Sequence, residues 1–126
     1  MSANLPALPS FTSETLGCMA VALLPANKVR LASPRGKTFQ EEIHEFLITN
    51  FTGYTVASGN ISGWWKDAEG KELQGQHIEY KVALPNDPAA LGTLQAFLAS
   101  LAFEMKEECL YLEIGSHASL IFAQPL

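Results

Sequence analysis

Cys18-Met-Ala-Val-Ala-Leu-Leu24 is an unbroken apolar run, and Pro25 closes it. A run of that length between turn signals predicts a strand buried on both faces, the centre of a sheet. Working outward from it, Thr38 caps a helix that ends at Asn50, and two extended segments then meet at a turn over residues 66–71. A second helix covers residues 88–107 and an alternating strand covers residues 110–114. That order is βαββαβ, which predicts a two-layer α+β sandwich with both helices on one face of an antiparallel sheet. In the usual arrangement of this topology the strands lie in the order 4-1-3-2, so the Cys18 strand sits between the fourth and the third.

Each element carries its own signal. In Thr38-Phe-Gln-Glu41 the threonine hydroxyl is placed to accept the Glu41 backbone N–H while the glutamate reaches back, a capping box. Phe39, Ile43, Phe46 and Leu47 form the core-facing stripe of that helix, and Asn50 with Gly53 ends it. Asp87 as N-cap and Pro88 at the first helical position open the second helix, whose stripe is Leu91, Leu94, Phe97, Leu98, Leu101 and Met105. Gly70 supplies the positive φ that closes a long hairpin, while Gly59, Gly63 and Gly75 inside its arms mark bulges or close backbone approach. After Ile114, residues 115–118 read as either a bulge or a tight turn.

The 126 residues fit one domain, and a hydrophobic content of 48% is enough for a core without disulfides or metal. Residues 1–16, rich in Ser, Thr and Pro, are expected as a flexible N-terminal arm, and residues 17–126 as a single domain. Thirteen acidic against eight basic residues give a net charge of −5, which repels a phosphate backbone. Neither nucleic acid nor membrane is therefore expected as a partner. No apolar stretch reaches the roughly 20 residues that span a bilayer, and a cytoplasmic location is expected. Cys18 and Cys109 begin two strands that run antiparallel, at opposite ends of the sheet, and disulfide geometry needs Cα atoms within about 7 Å. Two free, mostly buried thiols are expected.

The helix-free face carries the candidate chemistry. His77-Ile-Glu-Tyr-Lys-Val-Ala-Leu84 alternates, sending Ile78, Tyr80, Val82 and Leu84 under the helices and His77, Glu79 and Lys81 outward. In the last strand Leu110, Leu112 and Ile114 turn inward, and Tyr111 and Glu113 outward. With Met19, Val21 and Leu23 assigned to the core, Ala20 and Ala22 would floor a shallow trough between polar walls. A base, a cation and a phenol across one trough suit proton transfer on a polar substrate; equally, an antiparallel sheet solvates its free face with charges, or buries it in a dimer. His77, Glu79, Glu113 and His117 have the atoms for Zn or Mn, but no HExxH or Cys/His cluster supports a site, and neither metal nor cofactor is expected. Residues 27–37 carry Lys28, Arg30, Arg35 and Lys37, a basic loop that reads as a solvated connection or an anion trap. Trp64 and Trp65 point to opposite faces, so only one reaches the core and the other is covered locally or serves as an interface anchor. No GxSxG, P-loop or GxGxxG is present, Glu107 and Glu108 blunt Cys109 as a nucleophile, and the open face of the third strand lacks the aromatics that read RNA.

Over residues 17–114 the chain resembles the ferredoxin-like superfold, and the hairpin marked by Gly63-Trp64, Gly70 and Tyr80-Lys-Val82 is similar to small bacterial domains of that fold. The resemblance implies pairing through sheet faces into a homodimer that encloses a cavity, and transfers no catalytic residue. Two functions fit. The first is a homodimeric binding or regulatory module using Ala20, Ala22, Trp64 or Trp65 at its interface, with a small molecule as possible ligand. The alternative is a dimeric α+β-barrel enzyme with His77 or Glu79 as base, Tyr111 as orienting donor and Lys81 as anion partner, Glu113 completing the polar wall. The face assignment makes a stability prediction: Glu79→Ala changes the unfolding free energy by under roughly 0.5 kcal/mol, whereas Val82→Ala loses about 1–3 kcal/mol. Urea denaturation of both variants measures the difference, and equal losses would put Glu79 in the core.

Overall fold

The structure is a computed structural model describing residues 8–125, the side chains of 58–60 excepted. It contains β1 (Cys18–Pro25), α1 (Phe39–Asn50), β2 (Tyr54–Lys66), β3 (Glu72–Leu84), α2 (Pro88–Glu104), β4 (Cys109–Ile114) and β5 (His117–Phe122). The architecture is α+β, with one antiparallel sheet in the order β2-β3-β1-β4-β5. The four-stranded sheet expected from sequence is thereby corrected to five strands. Gly115 and Ser116 form a two-residue turn with Gly115 at φ 58°, the sign a type II′ hairpin needs at its first central position, and β5 folds back on β4. Residues 8–16 are exposed and form neither helix nor strand; the rest of the expected arm lies outside the described residues. None of the described helices is long and apolar enough to cross a membrane.

Pairing sets which side chains face the helices. Ala20 lies opposite Val82 and Ile114, and Ala22 opposite Tyr80 and Leu112. Directly opposed residues share a face, so the alanines belong with the core and are 0% and 8% exposed. The outward assignment of Ala20 and Ala22 is corrected; Met19, Val21 and Leu23 are the outward set. The reason is room. Ile43, Leu47, Leu94, Phe97 and Leu98 descend from both helices onto the middle of β1, where methyl side chains leave space for them. Alternation alone cannot rank two apolar sets on one strand.

The helices follow their capping signals at the N-terminus. Thr38 Oγ1 accepts the Glu41 N–H at 3.1 Å, and the Asp87 carboxylate accepts the Ala89 N–H at 3.0 Å. Phe39, Ile43 and Leu47 of α1 and Leu94, Leu98, Leu101 and Ala102 of α2 are buried, and Phe46 and Phe97 stack at 3.8 Å and 4° to join the two helices. Each large side chain so buried stabilises the fold by roughly 1.5–3 kcal/mol. The second helix ends at Glu104, short of the expected Glu107, because the chain reverses at Lys106 with φ 61°. There the Glu107 N–H donates to Ala102 O at 2.9 Å and the Lys106 N–H to Phe103 O at 3.1 Å, a Schellman closure.

A lysine in the left-handed region is strained where glycine is not. Lys106→Gly is expected to raise stability by about 0.5–1 kcal/mol, read as a higher midpoint in thermal or denaturant unfolding. A drop would mean that the lysine side chain holds this corner more strongly than its backbone strains it.

Candidate functional site

The outward residues of five strands make one surface. Across it run two rows set by the pairing: Ala57, Glu79, Leu23, Tyr111 and Leu120, then Thr55, Lys81, Val21, Glu113 and Ala118. His77, Glu79, Lys81, Tyr111 and Glu113 all lie on this helix-free face, but in two banks. Lys81 Nζ is 3.5 Å from Glu79 Oε1 on β3, and the Tyr111 hydroxyl donates to Glu113 Oε1 at 2.7 Å on β4. Two strand spacings, about 9–10 Å, separate the banks. Between them stands an apolar ridge of Val21, Leu23 and Met19, the last 50% exposed. The hydrogen bond to Glu113 pushes the Tyr111 phenol up, so it stays a protonated donor.

His77 is set apart from both banks. Beyond Pro25, which pairs with His77, the β2–β3 hairpin has no β1 neighbour and continues as a two-stranded ribbon. Its register slips between Ala57 and Ile61, after which Gly63 opposes Gly75 and Trp65 opposes Leu73. The two opposed glycines leave a notch. A Cβ on Gly75 would lie 2.9 Å from the Trp65 indole, and one on Gly63 would lie 3.0 Å from the His77 ring. Trp65 and His77 meet edge to face at 5.9 Å, and His77 Nδ1 is buried without a hydrogen-bond partner among the described residues. Trp64 and Trp65 are 69% and 45% exposed, so the expectation that one tryptophan joins the core is corrected: the ribbon lies beyond the reach of both helices.

The remaining candidates disperse. His117 opposes Ile114 and so faces the helix side, away from Glu113, while β1 separates Glu113 from Glu79. Among the described residues, no group of three or more His, Cys, Asp or Glu side chains is placed to hold a metal. Three of the four basic residues of the loop are spent on ion pairs: Lys28 with Glu107 at 3.0 Å, Lys37 with Glu45 at 2.6 Å, and Arg35 with both Glu42 and Glu104; Arg30 is exposed. Arg35 grips Glu42 through Nε and Nη2 at 2.8 and 2.7 Å, and Ser33, 6% exposed, donates to the same carboxylate at 2.6 Å. These contacts hold the Glu42 carboxyl below the usual range, with the arginine as the main cause. Cys18 and Cys109 are free and partly buried, and burial, then Glu108 and Glu107, push the Cys109 thiol up.

Sequence reasoning misses Met19, Leu120 and Phe122, which are 50%, 53% and 54% exposed on this face. Two of them belong to β5, whose signal was present: Gly115-Ser116 is a hairpin dipeptide between runs of strand-forming residues. The notch was also within reach, because counting back from the Gly70 turn sets Gly63 against Gly75.

No protein-family model matches the chain, and no curated protein matches it. Among solved structures it is similar to a phage SAM lyase in complex with S-methyl-5'-thioadenosine, with a TM-score of 0.58 over 93% of this chain and 97% of that one at 14% sequence identity. Likeness at that identity is likeness of fold.

The Arg35 contacts set an acid response. Glu42 titrates lower folded than unfolded, so its contribution is present above the unfolded value near 4.5 and disappears as pH falls through the folded one. Glu42→Gln is therefore expected to flatten the loss of thermal stability between neutral pH and about pH 3, by under roughly 1 kcal/mol because the pair is partly solvent-screened. Melting curves of both proteins across that range check it; parallel losses would assign acid sensitivity to other carboxylates.

Proposed function

We propose that the chain is a self-associating binding domain whose ligand surface is the helix-free face of the sheet. The observation that supports this reading is the make-up of the face: exposed Met19, Leu120, Phe122 and Trp65 beside the Glu79–Lys81 and Tyr111–Glu113 banks. Apolar side chains gathered on one surface gain by being covered, and paired polar groups at their margin orient what covers them. The ligand class is a small polar molecule with an apolar portion, seated on the Val21–Leu23 ridge and held at its ends by the two banks.

The likeness to the phage SAM lyase favours a second reading, in which the same face takes a substrate of the S-adenosyl sulfonium class. A sulfonium cation suits carboxylates and an indole face in a chain of net charge −5. In that reading Glu79 is the base, with His77 as the other candidate, Tyr111 the donor positioned by Glu113, and Lys81 the partner of the substrate carboxylate.

Two measurements test these readings. Native mass spectrometry at high micromolar concentration is expected to show an oligomer, and a monomer there would sink the self-association. Calorimetric titration with S-methyl-5'-thioadenosine and S-adenosylmethionine tests the second reading: binding that falls at least tenfold in Glu79→Ala supports it, and no heat with either compound removes it while leaving the first reading in place.

A further inference from the structure

We propose that two copies of the chain pair edge to edge through β5, so that the five-stranded sheets join into one of ten strands. The proposal rests on the self-association of the preceding reading and names the surface that performs it.

The two sheet edges are built differently. The β2 edge carries a register slip between Ala57 and Ile61 and ends in Lys66. Such irregularities and charges blunt an edge against pairing. The β5 edge is six residues of regular pairing, His117–Phe122, with no lysine, arginine, carboxylate or proline. All but Ile121 are exposed.

Hydrogen-bond phase shows what this edge offers. Ile114 and His117 flank a two-residue turn, so they bond to each other, and the same phase recurs at Leu112 with Ser119 and Leu110 with Ile121. Ala123 keeps it, donating its N–H to Glu108 O at 2.9 Å. The odd-numbered residues of β5 therefore bond inward to β4. Ala118, Leu120 and Phe122 direct their N–H and C=O groups outward, and these are the residues whose side chains lie on the helix-free face, opposite Glu113, Tyr111 and Cys109.

An antiparallel pair of identical strands has its two-fold axis normal to the sheet, which keeps the helices of both copies on the same side. With the axis at Leu120, Leu120 opposes the partner's Leu120, and Ala118 opposes the partner's Phe122. All three opposed pairs are in the hydrogen-bonding phase, giving about six bonds across the edge. Their side chains match in size. Leucine meets leucine at the centre, and each phenyl ring lies over a methyl group, so pairing covers the two large apolar residues of β5 that the single chain leaves exposed. A six-residue edge buries less than the roughly 1,200 Å² of a standard interface, so the affinity is expected to be micromolar.

Sedimentation equilibrium of the full chain tests the pairing. Leu120→Pro removes an N–H that points outward and leaves the β4–β5 ladder its own bonds, and proline is tolerated on edge strands. Leu120→Lys adds a like charge at the axis. Both variants are expected to keep the wild-type circular dichroism spectrum and to raise the dimer dissociation constant by at least about 100-fold. Met19→Lys, on the ridge, and Trp65→Ser, on the ribbon, are expected to dimerise as the wild type does. Dimers that persist in both Leu120 variants but fail in Met19→Lys or Trp65→Ser would overturn the edge assignment while leaving self-association intact. A wild-type monomer at high micromolar concentration would overturn both.

Discussion

β1 is paired on both of its edges, and this double pairing fixes the parity of the sheet around it. At Ala22 the strand meets Tyr80 of β3 and Leu112 of β4 in a single row, so the inward sets of three strands are decided together. A one-residue slip would have to move all three at once, exchanging buried Leu24, Tyr80 and Leu112 for Leu23, Glu79 and Tyr111. Burying Glu79 without a partner would then oppose the slip by several kcal/mol. The face that carries the polar banks is a by-product of this lock.

The same row explains what could be read from sequence and what could not. β3 and β4 alternate apolar with polar residues, so their inward and outward sets were legible, as were the Thr38 and Asp87 caps and the turn at Gly70. β1 offers alanines on one side and larger aliphatics on the other. A hydrophobicity rule sends the larger set inward, and helix packing sends the smaller. Size complementarity with Phe97 and Leu98 is a property of three elements together, and no window along the chain contains it. The tryptophans mislead for a related reason: length along β2 and β3 places them past the end of β1, where no core exists to receive them.

The polar banks and the apolar ridge share a face because β1 interposes its outward set between two alternating strands. The result differs from the trough of small residues that the sequence suggested. A ridge offers no enclosure by itself, and among the described residues a cavity of about 20 Å³ lies between sheet and helices and a shallow one beside the C-terminal end of α2, both away from this face. Enclosure of a small molecule on this surface has to come from a second body.

The β2–β3 ribbon gives the molecule a second scale of stability. Up to His77, β3 is bonded to neighbours on both edges; past Gln76, whose carbonyl accepts the Ala26 N–H at 2.9 Å, β2 and β3 are paired only with each other, with the register slip near the boundary. An isolated two-stranded ribbon is marginal in water, so its distal amides open by a local route that leaves the five-stranded sheet closed. One strand thus belongs to two cooperative units, its proximal half exchanging hydrogen at the global rate and its distal half far faster. Trp65 packed over the glycine notch is the main local brake on that opening, and whatever settles on the indole slows the breathing of the entire ribbon.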